Sequence, residues 1–160
     1  LMLALADEIF ARFEVPAEQP RWQDTVRAWL WATVAHLDRH PVALKLTRWE
    51  GHVSPAWLRT WFPMVTLLKR QGHEGRELAF AMSWFTTSAM GFIKAQLASP
   101  AMRQQGSLHF IDQLDGPDQR LAADLWFDLK SLDRDATLAF GFDTLVLGLE
   151  DLLKRTQATR

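Results

Sequence analysis

The sequence of 160 residues contains no cysteine. This absence excludes a disulfide framework, a thiolate metal site and a cysteine nucleophile, and it fits the reducing conditions of a cytoplasm. The sequence also lacks a surplus of positive charge, since 18 lysines and arginines face 19 acidic residues and leave a formal net charge of -1. Binding to DNA phosphates requires a basic surplus, so we do not expect these residues alone to bind DNA.

Long apolar runs and a secretion signal are missing as well. The longest uncharged stretch, residues 78–93, is shorter than the ~20 residues that cross a bilayer and contains serines and threonines. No charged segment followed by an apolar stretch and a small-residue cleavage site opens the chain. We therefore predict a cytoplasmic protein without a membrane partner. The chain opens on Leu1 rather than methionine, in what looks like the middle of a helix, and this predicts a fragment of a longer protein.

Proline and glycine fall almost entirely between segments in which apolar residues recur every three or four positions. No stretch shows the strict alternation of a half-buried strand, so the pattern predicts a single all-α domain. We predict helices up to about residue 14, over 22–39, from 42 to about 50, over 55–72, 75–99 and 118–132, and from 134 to about 155. Pro63 is expected to bend the fourth of these helices. Residues 101–117 are predicted to form an irregular loop, a candidate lid, with a helical turn around 108–111.

Two of the predicted helices, 75–99 and 134–155, carry apolar residues at alternating spacings of four and three, as in a heptad seam. Gly141 and Gly148 lie beside one seam and would let another helix come close. Two such helices can pair with the same two of a second subunit as a four-helix bundle, which predicts a homodimer. Alternatively, both seams face the core of the domain itself. The predicted interface residues are Phe85, Ala89, Phe92, Leu138, Phe142, Leu145, Leu149 and Leu152.

Residues 140–150 read FGFDTLVLGLE. This stretch resembles the closing helix of the tetracycline-repressor (TetR) family of bacterial transcriptional regulators, in which an F-G start followed by G-L-E belongs to the dimer interface. Further matches follow in the order of the family and extend the resemblance over nearly the whole chain. They are Leu3 to Ala6, Trp22 to Asp24, His40-Pro41, Thr47-Arg48, Gln71-Gly72 and the small residues around Gly91.

The resemblance implies a division of the chain into two parts. Residues 1–14 would link to a helix-turn-helix head that precedes them in the family, and operator DNA would be bound through that head. Residues 15–160 would bind a ligand and dimerise, so that the parent protein acts as a repressor released from DNA by its effector. Phe13 and Glu14, at the end of the linking helix, are the residues through which we expect ligand binding to be coupled to the head.

The resemblance also implies a ligand pocket inside each subunit. Carried over by position, its lining comprises Trp29, Thr33, Arg48, Trp49, Trp61, Met64, Met82 and Thr86. Tryptophans offer stacking faces, and Arg48 would hold an anionic or carbonyl group, so we expect a small apolar or aromatic effector. Any of these side chains can instead be simple packing, and Arg48 can pair with Glu50.

We predict neither a metal nor a cofactor. Leu44 and Thr87 stand where tetracycline-binding members hold a metal through histidines. His36 and His40 have a spacing that zinc can use, yet Leu37 stands where a protease-type motif needs glutamate. The pair also falls in the last turn of a helix, where imidazolium is favoured without metal.

The chain is not expected to be an enzyme. It has no glycine-rich phosphate loop and no nucleophile elbow, and Asp112 and Asp115 with His109 are more simply a solvated turn. Two alternatives stay open. One is a helical protein-interaction module without a small-molecule ligand. The other is a helical enzyme with a buried apolar site, which would need converging ionisable groups of shifted pKa.

Overall fold

The computed structural model describes residues 2–46, 54–97 and 110–158. Within these ranges the chain is helical and contains no strand, which confirms the predicted all-α fold. None of the helices described there has both the length and the apolar character needed to cross a lipid bilayer. The helices are α1 (Met2–Ala11), α2 (Trp22–Arg39), α3 (Pro41–Leu46), α4 (Pro55–Arg70), α5 (Gly75–Leu97), α6 (Gly116–Ser131) and α7 (Arg134–Ala158).

The helix limits lie close to those predicted, with one correction in α1. This helix ends at Ala11 and not near residue 14. The N–H groups of Arg12 and Phe13 donate to the carbonyls of Ile9 and Phe10 at 3.2 and 3.1 Å, which closes the helix in a tight final turn. The end of the predicted third helix and most of the predicted loop fall at 47–53 and 98–109, outside the described residues.

The start of α4 is held from two sides. Ser54 is its N-cap and accepts a hydrogen bond from the Trp57 N–H at 3.1 Å, with Pro55 in the first turn as predicted. Asp7 of α1 accepts a second hydrogen bond from the Ala56 N–H at 2.7 Å. A carboxylate is favoured at a helix N-terminus because the amide groups there have no partner within the helix. α1 is therefore attached to α4 by a charged contact.

The core of the domain is built around α2, which packs against α3, α5 and α7. Its buried apolar residues repeat at spacings of three and four and form one stripe. They are Val26, Trp29, Leu30, Val34 and Leu37.

Two glycines of α7 allow this helix to pack closely along α5. A Cβ atom at Gly141 would lie 2.1 Å from the ring of Phe92, and one at Gly148 would lie 2.3 Å from the ring of Trp84. Both distances are too short for any side chain, so each glycine makes room for an aromatic ring of α5. The helix that these glycines were predicted to let come close is thus α5 of the same chain.

Polar contacts on the surface fix α7 against α2. Arg27 donates to Asp143 at 2.6 Å, and Arg134 donates to Asp38 at 2.8 Å. The hydrogen bond from Arg27 to Asp143 raises the pKa of the guanidinium. Because these pairs are largely exposed, they orient the two helices more than they stabilise the fold.

α6 differs from the other long helices because none of its residues is buried. Its predicted apolar side is present, but it faces outward in the single chain. The exposed apolar side chains there and at the following residue are Leu121, Leu125, Phe127, Leu129 and Leu132.

Candidate functional site

Six aromatic side chains from three helical regions form a circle of contacts, which we call the aromatic cluster. Each member contacts two others at the 4.5–7 Å typical of aromatic pairs. The centroid distances are 5.7 Å from His36 to Phe10, 4.5 Å from Phe10 to Trp57, 5.4 Å from Trp57 to Trp61, 4.5 Å from Trp61 to Trp29, 6.1 Å from Trp29 to Phe13 and 5.5 Å from Phe13 to His36.

Helical spacing explains why the six side chains meet. Trp29 and His36 are seven residues apart on α2, and Trp57 and Trp61 are four apart on α4, so each pair lies on one helix face. Phe10 lies in the last turn of α1, and Phe13 follows its end. The aromatic cluster therefore connects α1 with both α2 and α4.

Trp29 is the most firmly held member of the aromatic cluster. Its side chain is 1% exposed, and its indole Nε1 donates to the Thr60 carbonyl of α4 at 2.9 Å. Phe85 of α5 contacts both Trp29 and Trp61, with centroid distances of 6.2 and 6.0 Å. α5 thus closes the cluster on the side of the core.

His36 brings a polar group into the aromatic cluster. The residue is 2% exposed and lies between Phe10 and Phe13. The backbone carbonyl of Ile9 in α1 lies close enough to the ring to favour a proton on it. Among the described residues its Nε2 atom is buried without any hydrogen-bond partner. We assign the proton of the neutral ring to Nδ1, because Nε2 has no acceptor and the Ile9 carbonyl favours a proton on the ring.

The environment of His36 disfavours its charged form. Burial lowers the pKa of the imidazole below its ordinary value of 6.5, and the neighbouring positive charges of His40 and Arg39 lower it further. The Ile9 carbonyl acts in the opposite direction and is the weakest of these influences. The imidazole is therefore neutral at neutral pH.

This depressed pKa predicts a loss of stability in acid. Unfolded chains take up a proton at His36 near pH 6.5, whereas the folded protein does so only at lower pH. The contribution of neutral His36 to stability is fully present above pH 6.5. As the pH drops from there through the lower pKa of the folded protein, the free energy of unfolding falls. Urea unfolding at about pH 7.5 and about pH 5.5 should show a smaller drop in His36→Phe than in the wild type. Equal drops in both proteins would contradict the prediction.

Three predicted pocket residues lie together in the structure. Trp29 and Trp61 are neighbours in the aromatic cluster, and Met64 on α4 is 1% exposed in the core. Whether any of them contacts a ligand stays a prediction.

The predicted hydroxyls are engaged in their own helices. Thr33 donates to the Trp29 carbonyl at 2.9 Å, and Thr86 donates to the carbonyl of Met82, itself a partly buried pocket candidate, at 2.7 Å. A ligand would have to use the remaining acceptor capacity of these oxygens. Arg48 and Trp49 lie outside the described residues, and so does Glu50, the proposed partner of Arg48.

The predicted interface residues require a correction, because most of them are buried within one chain. A side chain without exposed surface in the single subunit cannot be covered by a second one. The buried positions are Phe85, Ala89, Leu138, Phe142, Leu145 and Leu149, each at most 6% exposed. Phe92 and Leu152 are partly buried against the same core. These seams hold α5 and α7 in their own domain, which is the alternative left open by the spacing.

Four members of the aromatic cluster were not assigned to a pocket from the sequence, namely Phe10, Trp57, His36 and Phe13, of which Phe13 was predicted only to couple ligand binding to the head. Trp57 could have been found from its spacing of four to Trp61, which places both on one face. His36 was considered only as a metal ligand. Its ring centroid lies 4.8 Å from that of His40, but among residues 2–46, 54–97 and 110–158 no three metal-ligating side chains come together.

The three-dimensional structure has similar structures among known proteins, whereas the comparisons of the sequence alone find no match. No protein-family model matches the sequence, and the curated proteins include no match to it. The three-dimensional structure, in contrast, has the fold of a TetR-family protein over nearly its whole length.

One TetR-family protein with this fold is ActR from Streptomyces coelicolor. The chain is similar to apo ActR with a TM-score of 0.74 and 16% identity, over 96% of this chain and 74% of that one. It is similar to ActR in complex with (S)-DNPA with a TM-score of 0.72 and 17% identity, over 92% of this chain and 73% of that one. At these identities the likeness is one of fold.

Proposed function

We propose that this chain is the effector-sensing and dimerising domain of a TetR-family transcriptional regulator, and that its effector is a small apolar or aromatic molecule. The observation that carries the proposal is the aromatic cluster, which joins α1 to α2 and α4 in a fold shared with a TetR-family protein. Because ActR binds (S)-DNPA, that fold is compatible with the binding of a ligand.

The chemistry of the aromatic cluster suits an uncharged aromatic ligand. Trp29, Trp57 and Trp61 offer flat apolar surfaces, and Phe85 extends them towards the core. Rings of this kind bind apolar groups by burial of surface and by offset or edge-on stacking. Charged ligands would lose hydration without gaining a counter-ion from the cluster.

α1 provides a route from the ligand to DNA. Following the resemblance, α1 links this domain to a helix-turn-helix head, and the parent protein is a repressor that leaves its operator when the effector binds. Phe10 and Phe13 belong to the aromatic cluster, and Asp7 holds the N-terminus of α4, whereas Glu14 is exposed. A ligand between the rings would favour one tilt of α1 over another, which is the differential contact that such a switch needs.

The outward faces of α5 and α7 are the surfaces that we propose for the dimer. Phe80 and Trp84 on α5 and Phe140 and Leu147 on α7 are between 38% and 74% exposed. Large apolar side chains grouped on two adjacent helices are rarely left in contact with water. Two α5–α7 pairs can therefore form a four-helix bundle through these faces, while the seams on their inner sides remain in each core.

Binding of a neutral aromatic compound tests the proposal. We expect naphthalene or indole to raise the melting temperature of the purified chain saturably, by about 5–10 °C at roughly 100 times the Kd. Trp61→Phe should reduce this shift, because it removes part of the stacking surface while keeping the site apolar. The matched control is Trp22→Phe, which makes the same change at a partly buried position outside the aromatic cluster. A panel of such compounds without any saturable shift would contradict the proposed function.

A further inference from the structure

The Nε2 atom of His36 is a buried acceptor that the fold does not use. It has no hydrogen-bond partner among the described residues, although the residue is 2% exposed. Buried polar atoms are nearly always satisfied, and an unsatisfied one destabilises the structure that contains it. This atom belongs to the aromatic cluster, where the imidazole contacts both Phe10 and Phe13.

The protonation state of the imidazole determines what Nε2 can bind. With the proton of the neutral ring assigned to Nδ1, on the side of the Ile9 carbonyl, Nε2 presents a lone pair and no hydrogen. Its natural partner is therefore a hydrogen-bond donor. A carboxylate or a ketone has no proton to offer, and the positive charge of Arg39 nearby disfavours a cationic donor.

We propose that the effector carries a neutral hydroxyl on an aromatic ring and donates it to Nε2 of His36. This inference rests on the proposed function and names the chemical class of the effector. The ring of the compound would stack within the aromatic cluster, and its hydroxyl would satisfy the unused acceptor. Because the imidazole contacts Phe10 of α1 and lies beside the Ile9 carbonyl, the same residue would connect the effector directly to α1.

A pair of compounds that differ by one hydroxyl tests the inference. Isothermal titration at about pH 7.5, where 1-naphthol and His36 are both neutral, compares 1-naphthol with naphthalene. We expect the wild type to bind 1-naphthol about tenfold more tightly, as one buried neutral hydrogen bond allows. His36→Phe should bring the two affinities together, since it keeps an apolar ring but removes the acceptor. Trp22→Phe is the control that keeps the preference.

A measurement on the wild type covers the case in which His36→Phe does not fold. In protein labelled with ¹⁵N-histidine, Nε2 of His36 should show the resonance of an unprotonated nitrogen. This resonance should move much further with 1-naphthol, which donates a hydrogen bond to it, than with naphthalene, which only stacks, and equal shifts would contradict the inference.

The outcomes separate the two proposals. Equal binding of both compounds to the wild type, or a preference for 1-naphthol that persists in His36→Phe, overturns the inference and leaves the proposed function standing. If neither compound binds, the aromatic effector site fails and the inference fails with it.

Discussion

Leu147→Glu is expected to convert the proposed dimer into monomers. Leu147 is 62% exposed at the middle of the outward face of α7, and a second subunit would bury it. Glutamate there would place an unpaired charge from each subunit in an apolar interface, which weakens association by about 3–5 kcal/mol, or roughly 100-fold or more. Size-exclusion chromatography with light scattering should give twice the 18.4 kDa chain mass for the wild type and the single mass for the variant.

The matched control for this experiment is Leu58→Glu. Leu58 is 48% exposed on α4, away from the outward faces of α5 and α7, so the same substitution should leave the dimer intact. Circular dichroism should show that both variants keep their helical content. A wild type of single-chain mass, or a Leu147→Glu variant that stays dimeric, would contradict the proposed interface.

Trp29→Ala is expected to cause a large loss of stability. Trp29 is almost completely buried, contacts Phe13, Trp61 and Phe85, and donates its indole proton to the Thr60 carbonyl. Truncation to alanine leaves a cavity and an unpaired carbonyl, which together should lower the free energy of unfolding by about 3–5 kcal/mol. Urea unfolding followed by circular dichroism measures this change.

Two further variants show whether the loss arises from the position of Trp29. Trp31→Ala, at a partly buried tryptophan that contacts Phe142, should lose less because part of its ring already faces water. Trp29→Phe should fall between the wild type and Trp29→Ala, since it keeps a ring but not the donor. If Trp29→Ala were no less stable than Trp31→Ala, the large contribution predicted for the buried position of Trp29 would be contradicted.

The aromatic cluster has two roles that draw on the same contacts. It packs α1 onto α2 and α4, and under the proposed function it is also where the effector binds. A ligand that enters must replace contacts between rings, so its binding necessarily changes how α1 is held. Asp7 restrains this movement because it fixes α1 to the N-terminus of α4 at Ala56.

Much of the fold could be predicted from the sequence because its signals are local. Proline and glycine end the helices, Ser54 caps α4, and apolar residues at spacings of three and four mark each buried face. The end of α1 was predicted too far along the chain, because its final turn depends on backbone hydrogen bonds that the residue types do not indicate. Among the candidate site residues, Trp29 and Trp61 were identified through the resemblance, whereas Phe10, Trp57 and His36 were not.

The sequence by itself determined the all-α class, the positions of the helices and the existence of apolar seams on α5 and α7. Only the tertiary structure decided which way those seams face. A heptad spacing indicates that one side of a helix is apolar. It does not indicate whether that side is buried in its own domain or against a second subunit. Gly141 and Gly148 show the outcome here, since the space above them is filled by Phe92 and Trp84 of the same chain. The full set of contacts in the aromatic cluster could not be predicted either, because contacts between residues far apart in sequence exist only once the helices have packed.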